Sequence, residues 1–490
     1  MMNELSLAVR NLLRNRRRSL STLLTLAIGL AAILLFGGFK TNIRYSMLTA
    51  YVRTGGHMQI QHADFFLYGS GDPTAYGISD YDKLLTAVRD DPVLKPMLAV
   101  ATPMLRLSGL ASNSEAAASR TVLGTGYVPS DINVMRRWNE FAVPIVHPVF
   151  VLEGAAPDAA IVGVGVARVL KLCDALKVAN CPKPTVAAAA PSPPPPPPPP
   201  APPGARRGAQ TDVPGVLPAD IEALTQLPQG DGSEARKPAG GGARVDLLAS
   251  SGRGAPNVAA LNVVAAEDQG FKELDEVSVI LQMRYAQQLV FGRSQPRATA
   301  IMVQLKRTED QAAAAGRLRL VAEQFGQNQP LRVREVEELN PFYVQSLQLF
   351  DVIFGFIFVL IGGIVLFTVG NTMNAAVVER TVEIGTLRAV GMRQRGIRRL
   401  FVLEGLALGV SGALLGVFIA LLLAWITNHS GLTWLPPGSS ERLPLQLRVA
   451  GEYTSLVVTS AGLVVIGTLS AWLPAWRAAR LNVVEALRHA

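Results

Sequence analysis

Hydrophobic and polar positions follow two rhythms along this chain. Four long apolar runs, Leu20–Phe39, Val352–Val378, Leu400–Ile426 and Tyr453–Trp476, are each long enough to cross a bilayer as helix, since a hydrocarbon layer of about 30 Å takes about 20 helical residues. Between the first and second runs the pattern is shorter. Tyr81–Arg89 reads as an amphipathic helix, while Thr121–Gly126 and the partly alternating Thr299–Lys306 read as strands. Thr308–Phe325, with Leu318, Val321 and Phe325 at helical spacing, reads as another helix, as do Asn42–Arg53 and Val336–Leu349 beside the spans. The predicted fold is an α-helical membrane bundle of four transmembrane helices with a mixed α/β domain between helices 1 and 2.

The expected organisation follows from those runs. Residues 1–40 form a basic segment and first span, 41–348 an outer domain, 349–378 the second span, and 379–399 a charged loop. Residues 400–426 form the third span, 427–452 a short loop, 453–476 the fourth span, and 477–490 a tail. The first run follows basic residues, as a signal peptide would. Its apolar core is long, however, and Phe36–Lys40 offers no small-x-small cleavage site, so it reads as a retained anchor.

Composition agrees: mean hydropathy is +0.28, and charged residues make up only 17% against 49% apolar, which is thin for a soluble chain. The net charge of +9 is concentrated at membrane edges. Arg10, Arg14, Arg16, Arg17 and Arg18 precede the first span, Arg380 to Arg399 fill the central loop, and Arg477, Arg480 and Arg488 follow the fourth. In the 427–452 loop, Arg442 and Arg448 are balanced by Glu441 and Glu452. The positive-inside rule then puts both termini and the central loop in the cytoplasm and the large domain outside; a large outer domain with a cysteine pair fits an inner-membrane protein facing a periplasm. Arginines placed this way face lipid headgroups, so nucleic acid is not an expected partner.

One stretch fits no core. Residues 182–256, with consecutive prolines Pro193–Pro200 and a Gly/Ser/Pro-rich continuation, read as a disordered insertion that begins as stiff polyproline II. It is either a docking tract or a tolerated surface insertion. Cys173 and Cys181, the only cysteines, lie just before it and read as a disulfide, with unpaired thiols as the alternative.

Catalytic and metal chemistry is sparse. His57 and His62 stand five apart, off a shared helical face, and with Asp64 do not make a zinc site. Gly163-Val164-Gly165 lacks the third glycine of a dinucleotide fingerprint and reads as a strand-to-helix turn. There is no G-x-x-x-x-G-K-[ST] phosphate loop. In the spans, Asn371 and Asn374, with Thr368 and Thr372, read as interhelical glue. Glu404 opens the third span, where it suits a helix N-terminus or a loop arginine. Gly405, Gly409, Gly412 and Gly416 form a close-packing face for another helix or a dimer mate.

The loop ERTVEIGTLRAVGMRQRGIRRLFVLEG, Glu379–Gly405, reads as a helix, a break at Gly391 and a second helix running into the third span. Together with the Gly-rich span after it, the ending LPAWRAARLNVVEALRHA and the N-terminal LAVRNLLRNRRRSLSTLLTLAIG, it resembles the FtsX/MacB-like, or type VII mechanotransmission, ABC transporter permeases. The similarity is strong over about 349–487 and weaker in the outer domain, which follows the order of a MacB-like periplasmic core domain. Aligned that way, the insertion occupies 172–243.

The resemblance implies a permease subunit, not itself an enzyme, that dimerises as a homodimer or with a second permease. A separate ABC ATPase would bind the ATP and Mg, and this chain would hold no cofactor. Glu379, Arg380, Glu383, Ile384, Gly385, Leu387, Arg388, Val390, Gly391, Met392 and Arg395 map to the ATPase-coupling segment. Val484, Glu485 and Leu487 map to a second ATPase contact. The LolC/LolE-like branch, extracting a lipoprotein, lipid or amphiphile from the membrane, fits a chain without a fused ATPase. MacB-like efflux through a periplasmic adaptor and FtsX-like control of a cell-wall hydrolase are the alternatives.

Overall fold

A computed structural model describes residues 16–144, 149–178, 181, 243–250, 256–270, 272–326, 329–434 and 442–480. Most of the Pro-rich insertion, the extreme N-terminus and the tail from residue 481 lie outside them, and with these Val484, Glu485 and Leu487.

Helix α1 (Arg16–Gly55) carries the first apolar run and continues well past it. At about 1.5 Å per residue its 40 residues reach ~60 Å, twice the hydrocarbon thickness. The chain then enters the outer domain through β1 (Met58–His62), α2 (Tyr81–Asp90), β2 (Leu98–Asn113), β3 (Ala118–Tyr127) and α3 (Pro129–Arg137). It proceeds through β4 (Ala159–Gly163), α4 (Val164–Val169), β5 (Ala243–Ser250), β6 (Pro256–Glu267), β7 (Ser278–Gln282) and α5 (Met283–Phe291). Strand β8 (Ala300–Leu305), α6 (Gln311–Phe325) and β9 (Leu331–Glu335) complete the domain. The return to the bundle is α7 (Pro341–Glu379), followed by α8 (Thr381–Ala389), α9 (Gln394–His429) and α10 (Tyr453–Ala479). Among the described residues, α1, α7, α9 and α10 are the four helices long and apolar enough to cross a membrane; the chain is a multi-pass membrane protein.

The nine strands run in the order β3-β7-β4-β6-β5-β2-β8-β1-β9, and β3 also pairs with β2. That extra pairing closes β2, β3, β7, β4, β6 and β5 into a six-stranded barrel. The local pattern predicts α/β content but not this closure, which depends on β2. Its sixteen residues pair with β8 through the N-terminal half and with β3 and β5 through the C-terminal half, so one strand belongs to both the barrel and the open sheet. Residues facing the core alternate along it, with Leu105, Leu107 and Ala111 buried.

Strand β5 corrects the insertion. Composition assigns residues 182–256 to disorder, yet Ala243–Ser250 is a ladder strand with Val245, Leu247 and Ala249 buried. Its alternation is only eight residues long, and a composition window dominated by the neighbouring Gly and Pro hides it. Cys173 and Cys181 are disulfide-bonded with Cα atoms 6.1 Å apart.

Gly163 and Gly165 do turn the chain from β4 into α4. A Cβ on Gly163 would lie 2.2 Å from the Asp275 carbonyl oxygen, and one on Gly165 2.7 Å from Glu276 Cα. They permit backbone-to-backbone packing and need no nucleotide to explain them. His57 is fully buried. Its Nδ1 accepts the Leu305 N–H at 3.1 Å, and its ring meets Trp138 edge-on. Burial pulls its pKa down to about 4, so it is a neutral core histidine.

In the bundle the glycine face of α9 packs inside the chain. A Cβ on Gly405 would be 2.5 Å from Ala471 Cβ, on Gly412 2.7 Å from Leu26 Cβ, and on Gly416 2.8 Å from the Ala27 carbonyl oxygen. The glycines therefore let α9 approach α10 on one side and α1 on the other. Thr22 and Thr372 join α1 to α7 through a 2.8 Å hydroxyl pair. Asn371 and Asn374 depart from the expectation of glue within the bundle: both are exposed on the outer face of α7.

Candidate coupling site

The loop end of the bundle is built by interrupting a helix twice. Helix α7 stops at Arg380, whose φ of −107° leaves helical geometry, and α8 begins at once. At its other end α8 closes with a Schellman pattern: the Gly391 N–H bonds the Arg388 carbonyl and the Met392 N–H bonds the Leu387 carbonyl. Gly391 has φ +101°, a conformation that side chains with a Cβ rarely adopt, so glycine at this break is dictated by the backbone. Helix α9 starts three residues later. The result is a nine-residue helix held between two membrane helices.

Its side chains divide by direction. Arg380 turns inward and its Nη1 donates to Glu404 Oε1 at 2.9 Å, with the two side chains only 10% and 2% exposed. Ile384 is buried in the bundle core with Val377, Ile397 and Phe401, and Gly385 is buried beside it. These three were expected to touch a partner. The structure instead makes them the attachment of α8 to the bundle, because a carboxylate on α9 and an apolar pocket between helices already occupy them. Arg388 is half-buried.

The outward face holds Glu379, Glu383, Leu387, Val390, Met392 and Arg395 from the expected set. Val390 is the most accessible large apolar residue of this segment at 84%. Val382, 39% exposed, joins this face and was missed by sequence reading; nothing local in the sequence distinguishes it from the buried Ile384. The surface is thus an apolar ridge flanked by both signs of charge, on a helix that cannot swing freely. Such a ridge suits a groove on a protein partner.

The opposite end of α9 and α10 has its own contacts. Residues Thr433–Trp434 and Leu443–Pro444 form a short bridge, and Arg448 after it bonds the Gly38 carbonyl of α1. Among the described residues, no cluster of three or more His, Cys, Asp or Glu is placed to hold a metal ion.

Comparison with known proteins reaches the same region. Residues 352–483 match the FtsX-like permease C-terminal domain. The macrolide export ATP-binding/permease protein MacB of Shewanella oneidensis is 38% identical over 128 residues, 26% of this chain and 17% of that protein. MacB of Escherichia coli K12 is 36% identical over 143 residues, 29% of this chain and 20% of that protein. The lipoprotein-releasing system transmembrane protein LolC of Xylella fastidiosa is 27% identical over 172 residues, 33% of this chain and 41% of that protein. The match covers less than half the length of each of these curated relatives. From residue 352 to 483, the ridge of α8 and the helices next to it are similar to the FtsX-like permease C-terminal domain and to parts of MacB and LolC.

Proposed function

We propose that the chain is the permease subunit of an ATP-driven ABC transporter of the inner membrane. A separate ATPase binds the outward ridge of α8 in the cytoplasm, and its ATP-dependent closure is converted into movement of the outer, periplasmic domain. The observation that carries this reading is the mounting of α8: an exposed apolar and charged ridge fixed to the bundle by the buried Arg380–Glu404 pair and Ile384. A rigid lever of this kind transmits force, where a free loop would absorb it.

The cargo is an amphiphile taken from the outer leaflet, such as a lipoprotein or lipid, in line with the similarity to LolC. The higher identity to MacB, over a shorter stretch, supports efflux with a periplasmic adaptor as the second reading. The functional unit is a dimer. Helix α7 presents Asn371 and Asn374, together with Gly363 (whose Cβ position meets nothing within 4 Å), on its outer face. Polar groups there would otherwise face lipid, and a second permease helix satisfies them.

The test is recovery of the tagged chain from membranes in mild detergent. An ATPase of the ABC class co-purifies with the native chain and is lost with Val390→Asp, which leaves folding unchanged. Co-purification of an adaptor selects efflux and of a lipoprotein selects extraction. Absence of an ATPase even after cross-linking rejects the proposal.

A further inference from the structure

The two helix pairs of the bundle reach the outer domain differently. Helices α1 and α7 run straight into it, whereas α9 and α10 are joined to each other by the segment 430–452 and have no covalent path there. Yet α9, like α7, is joined at its other end to α8, which carries the ridge. Load on α9 and α10 can arrive at the outer domain by packing on α1 and α7, or through that connecting segment.

The described residues of this segment make one concentrated contact. The Arg448 backbone N–H bonds the Gly38 carbonyl of α1 at 3.2 Å, its Nε donates to Asn42 Oδ1 at 3.2 Å, and its Nη2 donates to the Ala142 carbonyl at 3.2 Å. The guanidinium also lies over the Tyr45 ring, 5.5 Å from its centroid. Tyr45 in turn donates its hydroxyl to Glu452 Oε1 at 2.5 Å and stacks on Phe141 with centroids 4.1 Å apart. Val449 is buried against Gly38, where a Cβ would come within 2.8 Å of the valine side chain.

One residue thus touches three bodies: the α9–α10 connection, the α1 stalk and the outer domain. The outer-domain acceptor is itself built for the contact. Ala142 sits at φ +46°, a left-handed conformation that L-residues rarely adopt. It is clamped there by Asn139, whose side chain donates to the Val143 carbonyl and accepts the Val143 N–H, both at 2.8 Å. The same turn joins Phe141 to Trp138, and Trp138 donates to the Lys306 carbonyl after β8. A push on this turn is therefore delivered to the sheet.

We propose that Arg448, with Tyr45 and Glu452, is a positioning latch that passes displacement of α9 and α10 to the outer domain at the Asn139–Val143 turn. The proposal rests on the permease reading only for the origin of the displacement; the connection itself needs no partner. It is tested by hydrogen–deuterium exchange on the full chain in nanodiscs, without ATPase, in a double-mutant cycle. Glu404→Gln loosens the far end of α9, and Arg448→Lys keeps the charge but loses the forked hydrogen bonding.

With Arg448 in place, Glu404→Gln should speed exchange of the Ala142 and Val143 amides by about fivefold or more, the scale expected of coupled sites. In the Arg448→Lys background that increment should vanish. Tyr45→Phe, which keeps the Phe141 stack and loses the bond to Glu452, should reduce the increment and serves if Arg448→Lys does not fold. Equal increments in all backgrounds, or no response of these amides to Glu404→Gln, overturn the latch. A chain that recruits no ATPase but shows the non-additive exchange loses the permease reading and keeps the latch.

Discussion

Helices α1 and α7, 40 and 39 residues long, continue past the membrane thickness and add aromatic and charged contacts to the Thr22–Thr372 pair that joins them, whereas α9 and α10 end at a short connection and α9 meets α10 and α1 through glycine and alanine. Along the first pair, Phe36 stacks on Phe354 at 6.2 Å, Phe39 meets Phe350 at 6.4 Å, Tyr51 meets Tyr343 at 5.9 Å, and Lys40 pairs with Asp351. Along the second, Gly405 and Gly412 bring backbones close to α10 and α1. Bulky contacts permit stalks to tilt and re-pack, since large side chains have alternative rotamers. Close backbone contact has no such slack. The difference suggests a bundle in which α9 and α10 move as a block with α1 while the α1–α7 stalks adjust.

The largest way to break this arrangement is to remove the ion pair at its loop end. Glu404→Ala leaves Arg380 buried without its carboxylate and should cost about 3–5 kcal/mol. The check is thermal unfolding in detergent, with faster exchange concentrated in residues 380–392. Restoring stability with Arg380→Met in the same chain would show that the lost partner, not lost volume, is responsible. A loss of less than about 1 kcal/mol, the scale of an exposed pair, would mean that α8 is held by Ile384 alone.

Acid sharpens the contrast between bundle and outer domain. His57 is neutral in the folded state, with its pKa depressed from 6.5 to about 4. The unfolded chain therefore binds this proton first as pH falls, so the contribution is fully present above 6.5 and is lost as pH drops from 6.5 toward 4, by roughly 3 kcal/mol in total. Fluorescence of Trp138, which the His57 ring touches, should report acid softening of this part of the outer domain while bundle helicity persists. His57→Gln should flatten that dependence.

The smallest effect tests the packing itself. Gly416→Val places a Cβ where it would stand 2.8 Å from the Ala27 carbonyl oxygen, and overpacking of this kind costs about 1–3 kcal/mol. Gly363→Ala, with open space around it, should leave the single chain's stability within about 0.5 kcal/mol and, in the proposed dimer, weaken association. Detergent unfolding and cross-linking separate the two. If both substitutions behave alike, the distinction between an internal and an external glycine face fails.

Much of the coupling segment was legible because its constraints are local. Arginines at a span edge, helix formers on either side of Gly391 and the apolar runs around them specify helix, break and helix without reference to the rest of the chain. Which side chains face outward was not legible. Ile384 and Val390 are both apolar, lie on the same short segment, and differ only in whether α7, α9 and α10 enclose them. Arg380 reads as one more loop cation until the fold brings Glu404 to it. The same holds for Asn371 and Asn374, whose exposure depends on how α7 is rotated in the bundle.

By itself the sequence determined the quantities that sum along the chain: four apolar lengths matched to a bilayer, the arginine asymmetry at their ends, and the glycines at tight positions. Hydrophobic transfer and backbone sterics act residue by residue, so they can be read in order. The tertiary structure alone decided the barrel closure through β2, the inward turn of Arg380, and the meeting of Arg448 with Ala142, 306 residues apart in sequence. These depend on which surfaces remain after helices and strands have packed, and such pairings are set by the shape of the whole fold and leave no local periodicity behind.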